Sequence, residues 1–246
     1  MLIGLILAAA AVAAPPTDAV RPEERPAYEA MLAVKAREAE RTYSGSACES
    51  AKVRRLGAQL VVSVADHPEL MLWRERVKVS GCGRSSIQNI NVGRTGGSPP
   101  WRMAAGLPGD SLADMTLQQN AYPAAITEAR ASVPSGCRHQ ALTDVYIAAR
   151  PGGVDVSLPD APAAAANGAR PFVKLPDSAK ELAPKLDLAQ AWMEVWPFQF
   201  CGRDRTLEVV FVPIRDQSTS LYLFLPVWRQ IEAQGPRARP VPAPGG

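Results

Sequence analysis

Trp73-Arg74-Glu75-Arg76-Val77-Lys78-Val79-Ser80-Gly81-Cys82-Gly83-Arg84 and Trp192-Met193-Glu194-Val195-Trp196-Pro197-Phe198-Gln199-Phe200-Cys201-Gly202-Arg203 are two copies of one pattern. In both, Trp, Glu, two apolar residues and Cys-Gly-Arg hold the same relative positions. Each copy reads as a strand running into a tight turn. Side chains alternate faces along a strand, so Trp73, Glu75, Val77 and Val79 share one face, and so do Trp192, Glu194, Trp196, Phe198 and Phe200. A glutamate therefore sits inside an apolar row twice. A carboxylate taken out of water needs a partner. The return strands offer Arg94 to Glu75 and Arg215 to Glu194, provided the turns close in register. Two readings follow: a duplicated structural ion pair, or a carboxylate of raised pKa in a site. That both copies carry it favours the structural one.

The surroundings of each copy also match. Pro22-Glu23-Glu24 starts a helix, with proline and acidic residues in its first turn. It continues over residues 26–43, with Tyr28, Leu32, Ala36, Ala39 and Tyr43 as a narrow buried stripe and Gly45 as its stop. Cys48 follows, then strands centred on 59–65, 70–80, 87–92 and 101–105, with a turn at Asp66-His67-Pro68. Lys52-Val53-Arg54-Arg55 reads as a solvated basic face. A second helix opens at Leu107-Pro108-Gly109-Asp110, with Ser111 and Asp114 spaced like a capping box, and runs to about Ala131 with an interruption at Pro123. Cys137, a strand over 141–149, a loose Ala/Pro/Gly-rich insertion over 151–170 and a short helix over 180–190 precede the second motif copy. Strands over 206–212 and 221–225 and a last turn near Trp228 close the order. The cysteine offsets between the copies, 89 and 119 residues, differ by 30, which an insertion after Ala149 in the second copy accommodates. The expected fold is α+β: duplicated helix plus antiparallel β-meander half-domains, each with one disulfide. The halves span 14–106 and 107–232, and a Pro-rich tail over 233–246 is expected to be disordered.

Residues 1–13 form an uncharged apolar run that ends in small residues, too short for a bilayer, and read as a signal peptide. No later stretch approaches the length of a membrane span, so after cleavage the chain is expected to be periplasmic or secreted and not membrane-spanning. In an oxidising compartment four cysteines read as two disulfides with three possible connectivities. Duplicated units carry their own staple, which selects Cys48–Cys82 and Cys137–Cys201. Chain entropy puts these at up to about 3.8 and about 4.3 kcal/mol. Redox catalysis normally uses a C-x-x-C pair, which is absent.

A net charge of +3 is too mild and too scattered for nucleic acid. His67 and His139 are the only histidines, and no zinc, P-loop, dinucleotide or nucleophile-elbow motif occurs, so no metal, cofactor or catalytic residue is assigned. His139 near Cys137 suggests a Cys-His nucleophile only if Cys137 is unpaired.

Glu194-Val195-Trp196 running to Cys201-Gly202, and Leu107-Pro108-Gly109-Asp110-Ser111-Leu112-Ala113-Asp114 followed by Leu117-Gln118, resemble motifs of uncharacterised exported proteins of proteobacteria. The resemblance covers mainly residues 107–213, and the first hairpin departs from it with Val77 where the second has Trp196. No activity attaches to that group, so the resemblance implies an envelope location and a fold, and assigns neither a catalytic step nor functional residues. Together these readings suggest a non-catalytic binding or scaffolding protein with an unknown envelope partner. The alternative is a hydrolase acting on envelope material through Glu75 or Glu194.

Overall fold

The structure is a computed structural model that describes residues 20–64, 67–94, 100–131, 133, 136–137, 140–158, 170–215 and 222–227. The expected signal peptide, the last turn near Trp228, the Pro-rich tail and His139 lie outside the described residues. Helix α1 (Arg25–Ser44) follows a 3-10 turn at Pro22–Glu24. Its buried face is the expected stripe of Tyr28, Leu32, Ala36, Ala39 and Tyr43, with Glu40 added. Gly45 ends it in the left-handed region at φ 67°, its N–H donating to the Arg41 carbonyl.

Four strands then form an antiparallel meander in the order β1-β2-β3-β4: β1 (Lys52–Val64), β2 (His67–Gly81), β3 (Arg84–Arg94) and β4 (Trp101–Ala105). His67, expected in a turn, is the first residue of β2 and pairs with Val64. Helix α1 packs across this sheet and covers Trp73, Val77, Val79, Ile90 and Val92.

Helix α2 (Met115–Ala131) is one helix, with Pro123 inside it. It starts later than the sequence suggests, because residues 107–114 are bonded elsewhere. Asn89 donates to the carbonyls of Leu107 and Gly109, and Leu107 N–H donates to Gln118 Oε1. Asp110 N–H donates to Val145 O, and Val145 N–H to Pro108 O. The Asp114 carboxylate caps the helix from Leu117 N–H at 2.8 Å. Gly109 has φ 86°, and a Cβ there would stand 2.2 Å from Val145 O, so only glycine fits.

The second sheet runs β11-β10-β9-β5, with β6 also on β9. Its strands are β5 (Gln140–Leu142), β6 (Tyr146–Ala149), β9 (Trp192–Phe200), β10 (Arg203–Pro213) and β11 (Tyr222–Val227). One strand was expected over 141–149. It breaks because Asp144 accepts from Ile87 N–H and Val145 bridges to Gly109. The insertion is not loose where it is described. β7 (Asp155–Ser157) pairs in parallel with β8 (Phe172–Lys174), and short 3-10 turns replace the helix expected over 180–190. Val154, Val173, Leu175, Ala179, Leu186 and Ala191 pack on Met193, Val210 and Val212, covering the outer face of β9 and β10. The inner face belongs to a core drawn from both sheets and both helices. There Tyr43 of α1 meets Tyr122 of α2 edge-on at 5.3 Å.

The molecule is thus a mixed α/β fold with mostly antiparallel sheets, two α-helices among the described residues, and two disulfides, Cys48–Cys82 and Cys137–Cys201. Each Cys-Gly pair forms a two-residue hairpin loop, between Gly81 and Arg84 and between Phe200 and Arg203. Positive φ at both central residues is what a type I′ turn demands: 49° and 76° at Cys82-Gly83, 48° and 77° at Cys201-Gly202.

Candidate functional site

The two glutamates share a local device. Trp73 lies two residues before Glu75 on β2, and its indole N–H donates to Oε1 at 3.1 Å. Trp192 lies two residues before Glu194 on β9, and its indole N–H donates to Oε1 at the same 3.1 Å. Alternation places each tryptophan on its glutamate's face, which explains the Trp-x-Glu spacing in both copies. Beyond that bond the two sites diverge.

Glu75 is completely buried and is forked by Arg55, whose Nε donates to Oε2 at 2.6 Å and Nη2 to Oε1 at 2.7 Å. The Tyr28 hydroxyl donates to Oε1 at 2.7 Å. Arg94, the expected partner, instead lies 3.7 Å from Glu24. Arg55 belongs to the basic cluster read as a solvated face. An irregularity in the β1–β2 register between Arg55 and Gly57 changes the pairing beside it. Burial raises the Tyr28 phenol pKa well above its ordinary 10.0, and the Glu75 charge adds to this. The hydrogen bond to Glu75 raises the Arg55 guanidinium. A cavity of about 220 Å³ opens here, lined by Arg25, Tyr28, Glu29, Arg55, Trp73 and Glu75 among others.

Glu194 is also completely buried, yet no cation forms an ion pair with it among the described residues. Oε1 accepts from Ser111 Oγ at 3.0 Å, Leu112 N–H at 2.8 Å and Ala113 N–H at 3.4 Å, besides the Trp192 indole. Oε2 accepts from the Trp196 indole at 3.0 Å. Arg215, the expected partner, is exposed, and its backbone N–H donates to Lys185 O. The charge of Glu194 is felt by Arg74, partly buried on β2, though burial pushes that guanidinium down overall. Arg74 Nη1 donates to the Ser111 carbonyl at 3.3 Å and Nε to Asn91 at 3.2 Å. Residue 111 is therefore gripped from both sheets.

No protein-family model, curated protein or solved structure matches this chain.

The chemistry is argued from the geometry alone. A general base needs a free lone pair facing a substrate, and a general acid needs a proton. The Glu75 carboxylate is engaged by the Arg55 guanidinium fork, the Tyr28 hydroxyl and the Trp73 indole. The Glu194 carboxylate accepts from five donors and borders none of the cavities described. Cys137 is in a disulfide and is no nucleophile. Among the described residues no group of three or more His, Cys, Asp or Glu is arranged for a metal ion. No helix there is long and apolar enough to cross a membrane.

Sequence reasoning placed both glutamates and both tryptophans. It missed Arg55, Ser111 and Arg74 as participants, and it placed Tyr28 in the core without its hydroxyl contact. Tyr28 offered the one available signal, a phenol in a buried stripe, since such a hydroxyl requires a partner.

Burial also raises the phenols of Tyr43 and Tyr122, each to about 12. All three tyrosines hold their protons more tightly folded than unfolded. Their contribution is full below the unfolded value of 10.0 and is lost as pH rises through the folded pKa. Alkaline unfolding is expected to set in above about pH 10, followed by circular dichroism together with tyrosinate absorbance. Ionisation of these tyrosines should coincide with loss of structure. Reversible ionisation of Tyr43 and Tyr122 near pH 10 in the folded protein would refute this.

Proposed function

We propose that this chain is an exported periplasmic or secreted protein that binds or scaffolds a component of the cell envelope without catalysis. One observation carries the non-catalytic part: both buried glutamates are built into hydrogen-bond networks, Glu75 with Arg55, Tyr28 and Trp73 and Glu194 with Ser111, Leu112, Ala113, Trp192 and Trp196, an arrangement that suits a structural role. Two disulfides support the exported part, since such bonds persist in oxidising compartments. The bulged outer edge of β1, carrying Lys52, Arg54 and Arg55, has the features that discourage addition of a partner strand.

We further infer that the chain is a duplicated helix-plus-meander unit. Counted back from Cys48 and Cys137, Tyr28 falls level with Leu117, Leu32 with Ala121, Ala36 with Ala125 and Glu40 with Ala129, and all eight are buried. The strand orders β1-β2-β3-β4 and β5-β9-β10-β11 correspond, with β6 an addition to the second. The matching Cys-Gly turns and Trp-to-Glu bonds lie at corresponding places.

The mature protein, assayed against ester, amide and glycoside substrates and purified cell-wall sacculi, is expected to show no turnover. It should be recovered by osmotic shock with no free thiols. Turnover that disappears in both Glu75→Gln and Glu194→Gln, or in either alone while that variant stays folded, would overturn the non-catalytic reading in favour of a hydrolase.

A further inference from the structure

The two Cys-Gly-Arg turns end in arginines with different surroundings. Arg84 donates to the Glu40 carboxylate through Nε and Nη2. Its Nη1 donates to Ser46 Oγ and its Nη2 to the Ser46 carbonyl, both at 2.7 Å. Glu40 is the one acidic residue on the buried face of α1, and Arg84 is its ion-pair partner.

Arg203 follows Cys201-Gly202 as Arg84 follows Cys82-Gly83. It is exposed, and among the described residues no carboxylate pairs with it. The helix position level with Glu40 is Ala129, which is fully buried. A methyl group thus stands in α2 where α1 supplies a carboxylate. Beside Arg203 lies a cavity of about 280 Å³, walled by the Cys137–Cys201 disulfide, Phe200 and Val133, with Arg203 and Arg205 on its border. Val133 lies just past the end of α2, its N–H donating to the Arg130 carbonyl at 2.9 Å. Arg205 spends Nη1 on the Asp204 carbonyl at 3.1 Å. The Asp204 carboxylate accepts from Gln199 Nε2 at 3.1 Å.

We propose that this cavity binds a small apolar carboxylate, whose carboxylate takes at Arg203 the place that Glu40 takes at Arg84. The guanidinium offers a planar fork that matches a carboxylate and is more weakly hydrated than an ammonium. Phe200, Val133 and the disulfide supply the apolar wall. The volume lies just below the ~300 Å³ lower end of small-molecule sites, so it suits a single ring or a short acyl chain. Two sources share this chemistry: a free short-chain acid, and the apolar C-terminal residue of a peptide. The site is separate from both buried glutamates. Its test does not depend on where the protein resides or on which envelope component it meets.

The test is calorimetric titration of the mature, oxidised chain with 3-phenylpropionate, octanoate, N-acetyl-Ala-Phe with a free C-terminus, and inorganic phosphate. Saturable binding of the carboxylates is expected. 3-Phenylpropanamide should bind at least about tenfold more weakly than its acid, and Arg203→Ala should weaken the acid similarly, as loss of a charge-assisted hydrogen bond requires. Ala129→Glu should abolish binding by supplying an internal carboxylate; because Ala129 is fully buried, Arg203→Ala decides if that variant fails to fold. Preference for octanoate assigns the free acid, and preference for the acetylated dipeptide assigns a peptide end. Equal binding of acid and amide, undiminished binding to Arg203→Ala, phosphate binding as tight as the carboxylates, or no saturable binding of any carboxylate would overturn the proposal. If binding fails here while envelope retention persists, only this site falls.

Discussion

Arg55→Met is expected to destabilise the fold by about 3–5 kcal/mol, more than Glu75→Gln, at about 2–3 kcal/mol. The order runs against the intuition that the more buried partner matters more. Removing Arg55 strands a carboxylate that is 0% exposed, with only Tyr28 and Trp73 left to satisfy it. Removing the Glu75 charge strands a guanidinium that is 47% exposed and regains water. The glutamine can also donate to Tyr28, whose hydroxyl rotates to accept. Urea unfolding of both single variants and of the double variant gives the coupling directly. The double variant should be less destabilised than the sum of the two. A Glu75→Gln protein of unchanged stability that has lost a ligand would make the cavity at Glu75 a binding site rather than a structural network.

Removing the second disulfide is the other large effect. The pair Cys137→Ser with Cys201→Ser should lose up to about 4.3 kcal/mol, against about 3.8 for Cys48→Ser with Cys82→Ser, because the second loop is longer. The sequence separations are 64 and 34 residues. Cross-link and turn are separable here. Cys201 is held at φ 48°, where asparagine is better tolerated than serine. Cys137→Ser with Cys201→Asn should therefore be more stable than the double serine variant, though still below the oxidised parent. Thermal and denaturant unfolding with and without reductant measure both steps. Equal stability of the two variants would mean that the turn conformation contributes nothing once the bond is gone.

Local, periodic features were legible in the sequence. The buried stripe of α1 was readable because Tyr28, Leu32, Ala36, Ala39 and Tyr43 repeat at helical spacing. The hairpins were readable because Cys-Gly is flanked by alternating strands, and the β4 bounds followed from the turn signals around Trp101–Ala105. The partners of the glutamates were not legible, because they depend on register and on segments distant in sequence. Arg55 reaches Glu75 beside an irregularity that no single-residue property announces. The donors to Glu194 come from a turn before α2, where Ser111 looked like a helix cap; Asp114 caps the helix, and Ser111 serves the carboxylate. Val154 and Val173 stand beside or within strands of three residues, too short for alternation to show, so their burial on the outside of β9 and β10 left no periodic trace.

The segment 107–114 lies between β4 and α2 and is bonded to both sheets, and its hydrogen bonds bear on the order in which the chain is made. Ser111 and Leu112 donate to a carboxylate 83 and 82 residues further on. Until the chain reaches Glu194, those donors have no protein acceptor there, whatever the first meander has achieved. Contacts of such sequence separation close late, after the entropy of a long loop has been overcome. Cys48–Cys82 is local enough to form early. The grip of Arg74 and Glu194 on either side of Ser111 needs both sheets in place, so it couples the first sheet to the second.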